Sequence, residues 1–193
     1  MKKLCLMLLM LFCISGTTFA EPQAGVTEEF GTIAVVPYLD TTEQEKKREY
    51  IPETLDELYT NYFAENGFTV IPAEELEKAL SRAGYDPSNQ MLPEKDIMAE
   101  VAQALGANYV VALELADLDV SRHMSYFSSK VSSSVKLKYH FYNARTGKMI
   151  PFQTTASNNN KAVLVGMRSY KSSISAALAE ALEKGNEKIQ SFL

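Results

Sequence analysis

VAQALGANYVVALEL, Val101–Leu115, holds a helix end, a glycine stop and a strand start in one short stretch. Ile97, Met98, Val101 and Leu105 recur at the spacing of one helix face, so Asp96–Leu105 reads as an amphipathic helix. Gly106 follows, the residue that most readily takes the left-handed conformation at a helix end. Tyr109–Leu115 is then a mostly apolar run of the kind expected for a strand buried on both faces.

The same grammar runs upstream. Thr32–Tyr38 (TIAVVPY) is a continuous apolar run rich in β-branched residues and reads as a second buried strand. Residues 53–65 read as a helix, with Leu55, Leu58, Tyr59, Tyr62 and Phe63 on one face. Thr54 and Glu57 have capping-box spacing at its start, and Asn66-Gly67 gives its stop. Phe68–Ile71 reads as a short strand and Ala73–Ala83 as a helix closed by Gly84. Residues 21–30 read as a flexible lead-in, Asp40–Tyr50 as a charged loop or a mobile rim contacting a partner, and Tyr85–Pro93 as a turn-rich connection.

Downstream the period changes. Val131, Val135, Leu137, Tyr139 and Phe141 alternate with Ser132, Ser134, Lys136, Lys138 and His140, which predicts a strand with one wet face. Residues 143–147 (NARTG) are a turn, and Lys148–Ser157 returns antiparallel. Ser157–Lys161, with three consecutive asparagines, reads as loop. A helix near 169–191 closes the chain, with Ile174, Ala177, Leu178, Ala181, Leu182 and Ile189 on one face. The fold class is therefore α/β (α+β). It is a mixed sheet of about five strands, parallel crossovers first and an antiparallel hairpin after, packed with about four helices in one domain over 31–193.

The first twenty residues are a different kind of segment. Lys2 and Lys3, the apolar run Leu4–Ile14 and the small residues around Thr18-Phe19-Ala20 make the three-part pattern of a secretory signal peptide, residues 1–20, cleaved near Ala20. The apolar run falls short of the roughly 20 residues a membrane span needs, and no later stretch approaches that length, so no transmembrane helix is expected after the leader. The expected location is periplasmic or secreted. Leu11 and Phe12 stand before Cys13 where a lipoprotein signal calls for small residues. Cys5 and Cys13 both lie in the leader, so the exported chain has no disulfide, thiolate metal site or cysteine nucleophile. The chain carries a net charge of −5, and loss of Lys2 and Lys3 makes it more acidic still, which argues against nucleic-acid binding.

Five segments in order resemble the periplasmic αβ domain shared by the curli-secretion protein CsgG, the penicillin-binding-protein activator LpoB and the amino-terminal domain of TolB. They are TIAVVPYLD (32–40), GFTVIPAEELEKALSRAGYDP (67–87), VAQALGANYVVALEL (101–115), NARTGKM (143–149) and ISAALAEALEK (174–184). The resemblance covers nearly all of 31–192. It implies envelope work by protein contact, as subunit or accessory of an assembly or secretion system, with envelope proteins as partners and a homo-oligomer as one arrangement. CsgG-like members cross a membrane with hairpins. Here only 120–142 could supply one, and Arg122, His123, Lys130, Lys136 and Lys138 would burden its lipid face.

Candidate chemistry is sparse. A zinc site would need His123, His140 and a carboxylate such as Asp117 or Asp119, yet no ligand-type spacing joins them. Ser128, Ser129 and Ser132–Ser134 read as the wet edge of a strand, with no nucleophile elbow. Glu74 with Glu75, and Glu114 with Asp117, are the carboxylate pairs a glycosidase reading would use; solvated helix or strand faces explain them as well. No phosphate-binding glycine loop occurs. No catalytic residue, metal or cofactor is therefore assigned, and the chain reads as a non-enzyme. A glycan or small-molecule binding module and a hydrolase without a familiar motif are the alternatives. Tyr59, Tyr62 and Phe63 read as core. Tyr126 and Phe127, aromatic in a polar segment, are the expected partner contacts.

Overall fold

The computed structural model describes residues 30–42, 51–125, 128–163 and 170–193. Residues 1–29 and 43–50, where the sequence predicts a leader, a lead-in and a charged loop, lie outside them. Three parallel strands form one half of a mixed sheet: β1 (Gly31–Val35), β3 (Phe68–Val70) and the first residues of β4 (Tyr109–Ser125). A two-residue strand, β2 (Leu39–Asp40), pairs with β4 at Glu114 and Leu115. The other half is antiparallel, with β5 (Ser128–Asn143) and β6 (Lys148–Val163) following β4. The order is β3-β1-β4-β5-β6.

Between β1 and β3 run α1 (Ile51–Leu55), a π-helical turn (Asp56–Thr60) and α2 (Asn61–Glu65), in effect one continuous helix. It is already helical at Ile51, so Thr54 is not a cap; its buried hydroxyl instead meets Ser175 Oγ at 3.1 Å. Helices α3 (Ala73–Arg82) and α4 (Lys95–Leu105) link β3 to β4, and α5 (Tyr170–Gln190) ends the fold. Gly106 caps α4 at φ 63°, as expected.

Each face of the sheet has its own core. On one, Ile33, Tyr109, Leu113, Leu137 and Phe141 pack under α5 and the α1–α2 helix. On the other, Ala34, Val36, Val110 and Ala112 pack under α3 and α4. Each fully buried large aliphatic chain contributes roughly 1.5–3 kcal/mol.

Three expectations about strand bounds needed correcting. First, β1 ends at Val35, before Pro37, and β4 pairs with β2 after a gap. Second, β4 does not stop at Leu115. It runs to Ser125, with an irregularity between Leu115 and Asp117 that leaves Ala116 unpaired. This bulge shifts the inward phase from Leu113 and Leu115 to Leu118 and Val120. Third, Ser157–Lys161 is not loop but part of β6. Ser157 and Asn159 point to an open face, where Ser132 Oγ donates to Asn159 Oδ1 at 2.7 Å and Ser157 Oγ to Ser134 Oγ at 3.2 Å, while Asn158 lies opposite the buried Ser133.

Beyond Leu115 the three antiparallel strands continue as a tongue covered on one face by α5. Among the described residues β6 pairs on one side only. Lys188 Nζ donates to the Gln153 carbonyl at 2.9 Å and Lys184 Nζ to the Thr155 carbonyl at 3.2 Å, which blunts that edge against pairing with another chain.

Candidate functional site

The connection after β1 leaves on one face of the sheet and the connection after β3 on the other, and such a switch point opens a crevice at the carboxyl ends of the strands. A cleft of about 480 Å³ lies there. Val36–Leu39 form one wall, Glu77, Leu80 and Ser81 of α3 another, and Tyr85–Pro87 close it. Tyr85 Oη donates to the Met91 carbonyl at 3.1 Å, and burial, helped by the charge of Asp86, pushes its phenol above the ordinary value. Hydrogen bonds from Ser88 hold the exposed Asp86 carboxyl below its ordinary value; the amide of Ser88 is 2.9 Å away. The cleft thus offers an apolar floor, a neutral phenol and two carboxylates, a set suited to holding a polar ligand.

Tyr59 reaches the same strand end from the opposite face. It sits in the π-helical turn, and its buried hydroxyl lies 3.3 Å from the carbonyls of both Val36 and Val111. Tyr59 and Phe63 are core, as expected; Tyr62 is only half-buried. Tyr50, Tyr126 and Phe127 lie outside the described residues. Met124 is 69% exposed near the end of β4. The open face of the tongue carries Asp117, Asp119, Ser121 and His123 on β4 and Lys136 and Ser134 on β5.

The fold keeps the two histidines apart. His140 Nδ1 is 2.8 Å from the Pro93 carbonyl and ties β5 to the segment before α4. His123 pairs in register with Lys130, ten residues along β5, a separation of roughly 33 Å. Among the described residues no three histidine, cysteine or carboxylate groups converge as a metal site. Glu114 is bound to Lys138 at 3.0 Å and accepts from Thr41 at 3.0 Å, while Asp117 is exposed across the bulge, so they do not form an acid–base pair. Glu74 and Glu75 are exposed in the first turn of α3.

Ser133 departs from the wet-edge reading. It is buried, donating to the Ser173 carbonyl at 2.7 Å, with the Ser173 hydroxyl 2.8 Å away. The skipped place of Ser133 between Val131 and Val135 in the alternation is the signal that could have located it.

No family model and no curated protein matches the chain. Similar solved structures include lipoprotein GNA1162 from Neisseria meningitidis, with TM-score 0.47 and 16% identity, covering 82% of this chain and 99% of that one. The hypothetical protein CT253 from Chlamydia trachomatis has TM-score 0.48 and 15% identity, covering 82% of this chain and 95% of its own. The LpoB C-terminal domain from Escherichia coli has TM-score 0.39 and 18% identity, covering 69% of this chain and 82% of its own. Among the described residues no helix is long and apolar enough to cross a membrane.

Proposed function

We propose that this is an exported, non-enzymatic cell-envelope protein that acts by protein contact and makes that contact with the far end of its β4–β5 hairpin. The observation that carries it is the exposed Met124 at the end of a polar tongue, two residues before Tyr126 in the sequence. An exposed large apolar side chain at one end of a polar surface is a usual anchor of a protein contact. The leader pattern supports export with cleavage after Ala20, and the five-segment resemblance supports the envelope as the setting. The partner is an envelope protein or, in a ring-like assembly, a second copy of the chain.

The test is the double variant Tyr126→Ser/Phe127→Ser. It is expected to keep the parent melting temperature and lose most of the partner recovered from envelope extracts. Undiminished recovery would refute the assignment. Mass spectrometry of the exported protein should find Glu21 as its first residue.

The cleft at the end of β1 favours a second reading, a glycan or small-molecule binding module. It is tested by the melting temperature in the presence of muropeptides or polysaccharide. A saturable rise that Tyr85→Phe or Glu77→Gln reduces supports this reading.

A further inference from the structure

The π-helical turn and α2 leave a groove against α5, of about 350 Å³. Leu58, Ala179 and Leu182 form its apolar floor, with Tyr62 on one rim and Glu183 and Glu187 on the other. Gln190 Nε2 donates to Tyr62 Oη at 2.9 Å and fixes that ring at the mouth. Burial, with the Glu187 charge adding to it, pushes the Tyr62 phenol above its ordinary value.

Two features are unexplained by folding alone. Asn186 lines the groove while only 5% exposed, and its Oδ1 is buried with no hydrogen-bond partner among the described residues. Native structures rarely carry an unpaired buried oxygen without a reason. Glu183 and Glu187 are one helical turn apart, a spacing at which like charges repel, and neither has an ion-pair partner among the described residues. The two lysines of the same helix nearest to them are committed elsewhere: Lys184 to Glu180 and β6, Lys188 to β6.

We propose that this groove receives an arginine side chain of a partner polypeptide. Its methylenes lie on Leu58, Ala179 and Leu182. Its guanidinium donates to the Glu183 and Glu187 carboxylates and to Asn186 Oδ1. Arginine fits better than lysine because its planar fork presents five donors, enough for three separate acceptors, and because its weaker hydration suits a half-closed groove. The acidic net charge of the chain, −5, favours approach of a basic partner. The site goes beyond the contact proposed for the hairpin. Asn186 lies about 24 Å along α5 from Tyr170, whose ring is covered by Arg122 of the tongue.

The test is a titration of the isotope-labelled exported protein with N-acetyl-arginine amide, followed by the side-chain amide resonance of Asn186. A saturable shift with a Kd of roughly 1 mM is expected for so small a probe. N-acetyl-citrulline amide, neutral but of the same shape, should bind at least about tenfold more weakly, as should arginine to Glu183→Gln/Glu187→Gln. Asn186→Leu, followed instead by the backbone amide resonances of Glu183 and Glu187, should abolish binding and raise the melting temperature by about 3 °C, because it removes an unpaired polar group. Citrulline binding as tightly as arginine would overturn the proposal. So would the absence of a saturable shift up to about 50 mM, or a lowered melting temperature in Asn186→Leu. Tyr126→Ser/Phe127→Ser should leave arginine binding unchanged, which separates this proposal from the one for the hairpin.

Discussion

Gly185→Ala should destabilise the protein, although the same change in most helix interiors stabilises by about 1 kcal/mol. Gly185 lies in the middle of the buried face of α5, directly over Tyr139 of β5. A Cβ at this position would stand 2.5 Å from Tyr139 Cζ and 3.0 Å from Cε2, with the phenol oxygen in still closer contact. The ring cannot retreat. Tyr139 is fully buried and stacks on Phe152 with centroids 4.7 Å apart and planes 3° from parallel. Overpacking a close-packed core costs about 1–3 kcal/mol and at times more. Here the obstacle is a clamped aromatic ring, so the upper end applies and the net loss is about 2 kcal/mol after the helix-propensity gain. Equilibrium urea unfolding should show the midpoint falling by about 1 M, and thermal unfolding a drop of about 6 °C. Tyr139→Leu deletes the atoms that the new methyl meets. In that background Gly185→Ala should revert to a gain of about 0.5–1 kcal/mol, a coupling well above measurement error. If Gly185→Ala stabilised the parent protein, the packing of α5 on β5 described above would be wrong.

Ser133→Ala should cost about 1–3 kcal/mol in urea unfolding, because it removes the buried bonds to the Ser173 hydroxyl and carbonyl, whereas the exposed Ser134→Ala should change stability by less than about 0.5 kcal/mol. Replacing Lys184 and Lys188 together by alanine should leave the melting temperature nearly unchanged but speed aggregation, read by light scattering over time, since it exposes the β6 edge. Burial raises the phenols of Tyr59 and Tyr139 above the ordinary 10.0. These tyrosines stay neutral when folded and ionise near pH 10 when unfolded. Their contribution is therefore complete below pH 10 and is lost as pH rises above it, at about 1.4 kcal/mol per pH unit for each. Tyr59→Phe should make the alkaline loss of stability shallower.

What could be read from residues was the part governed by local periodicity. The apolar stripes of α3, α4 and α5, the glycine stop at Gly106 and the alternation in β5 each reflect one element burying one face. Features set by neighbouring elements were harder to see. Leu113, Leu115, Leu118 and Val120 carry a three-residue step that marks the bulge at Ala116, yet polar residues beyond it make the run look like a loop. Asn158 and Asn159 lie in a strand because β5 supplies hydrogen-bond partners that no local pattern reveals. Ser133 and Asn186 look like surface residues until α5 and the sheet close around them. The cleft beside Tyr85 follows from the order of the strands, not from any motif. Tyr126 and Phe127 were singled out by composition alone, and experiment is the direct route to their role.

The most direct test of the proposed contact is site-specific photocrosslinking in the host cell from position 124, compared with position 81 on α3. The account predicts one discrete adduct with an envelope protein, or with a second copy of the chain, from position 124. That adduct should disappear in Tyr126→Ser/Phe127→Ser, and position 81 should give none. The same adduct from both positions, or no adduct from position 124 with the protein exported at its normal level, would contradict it.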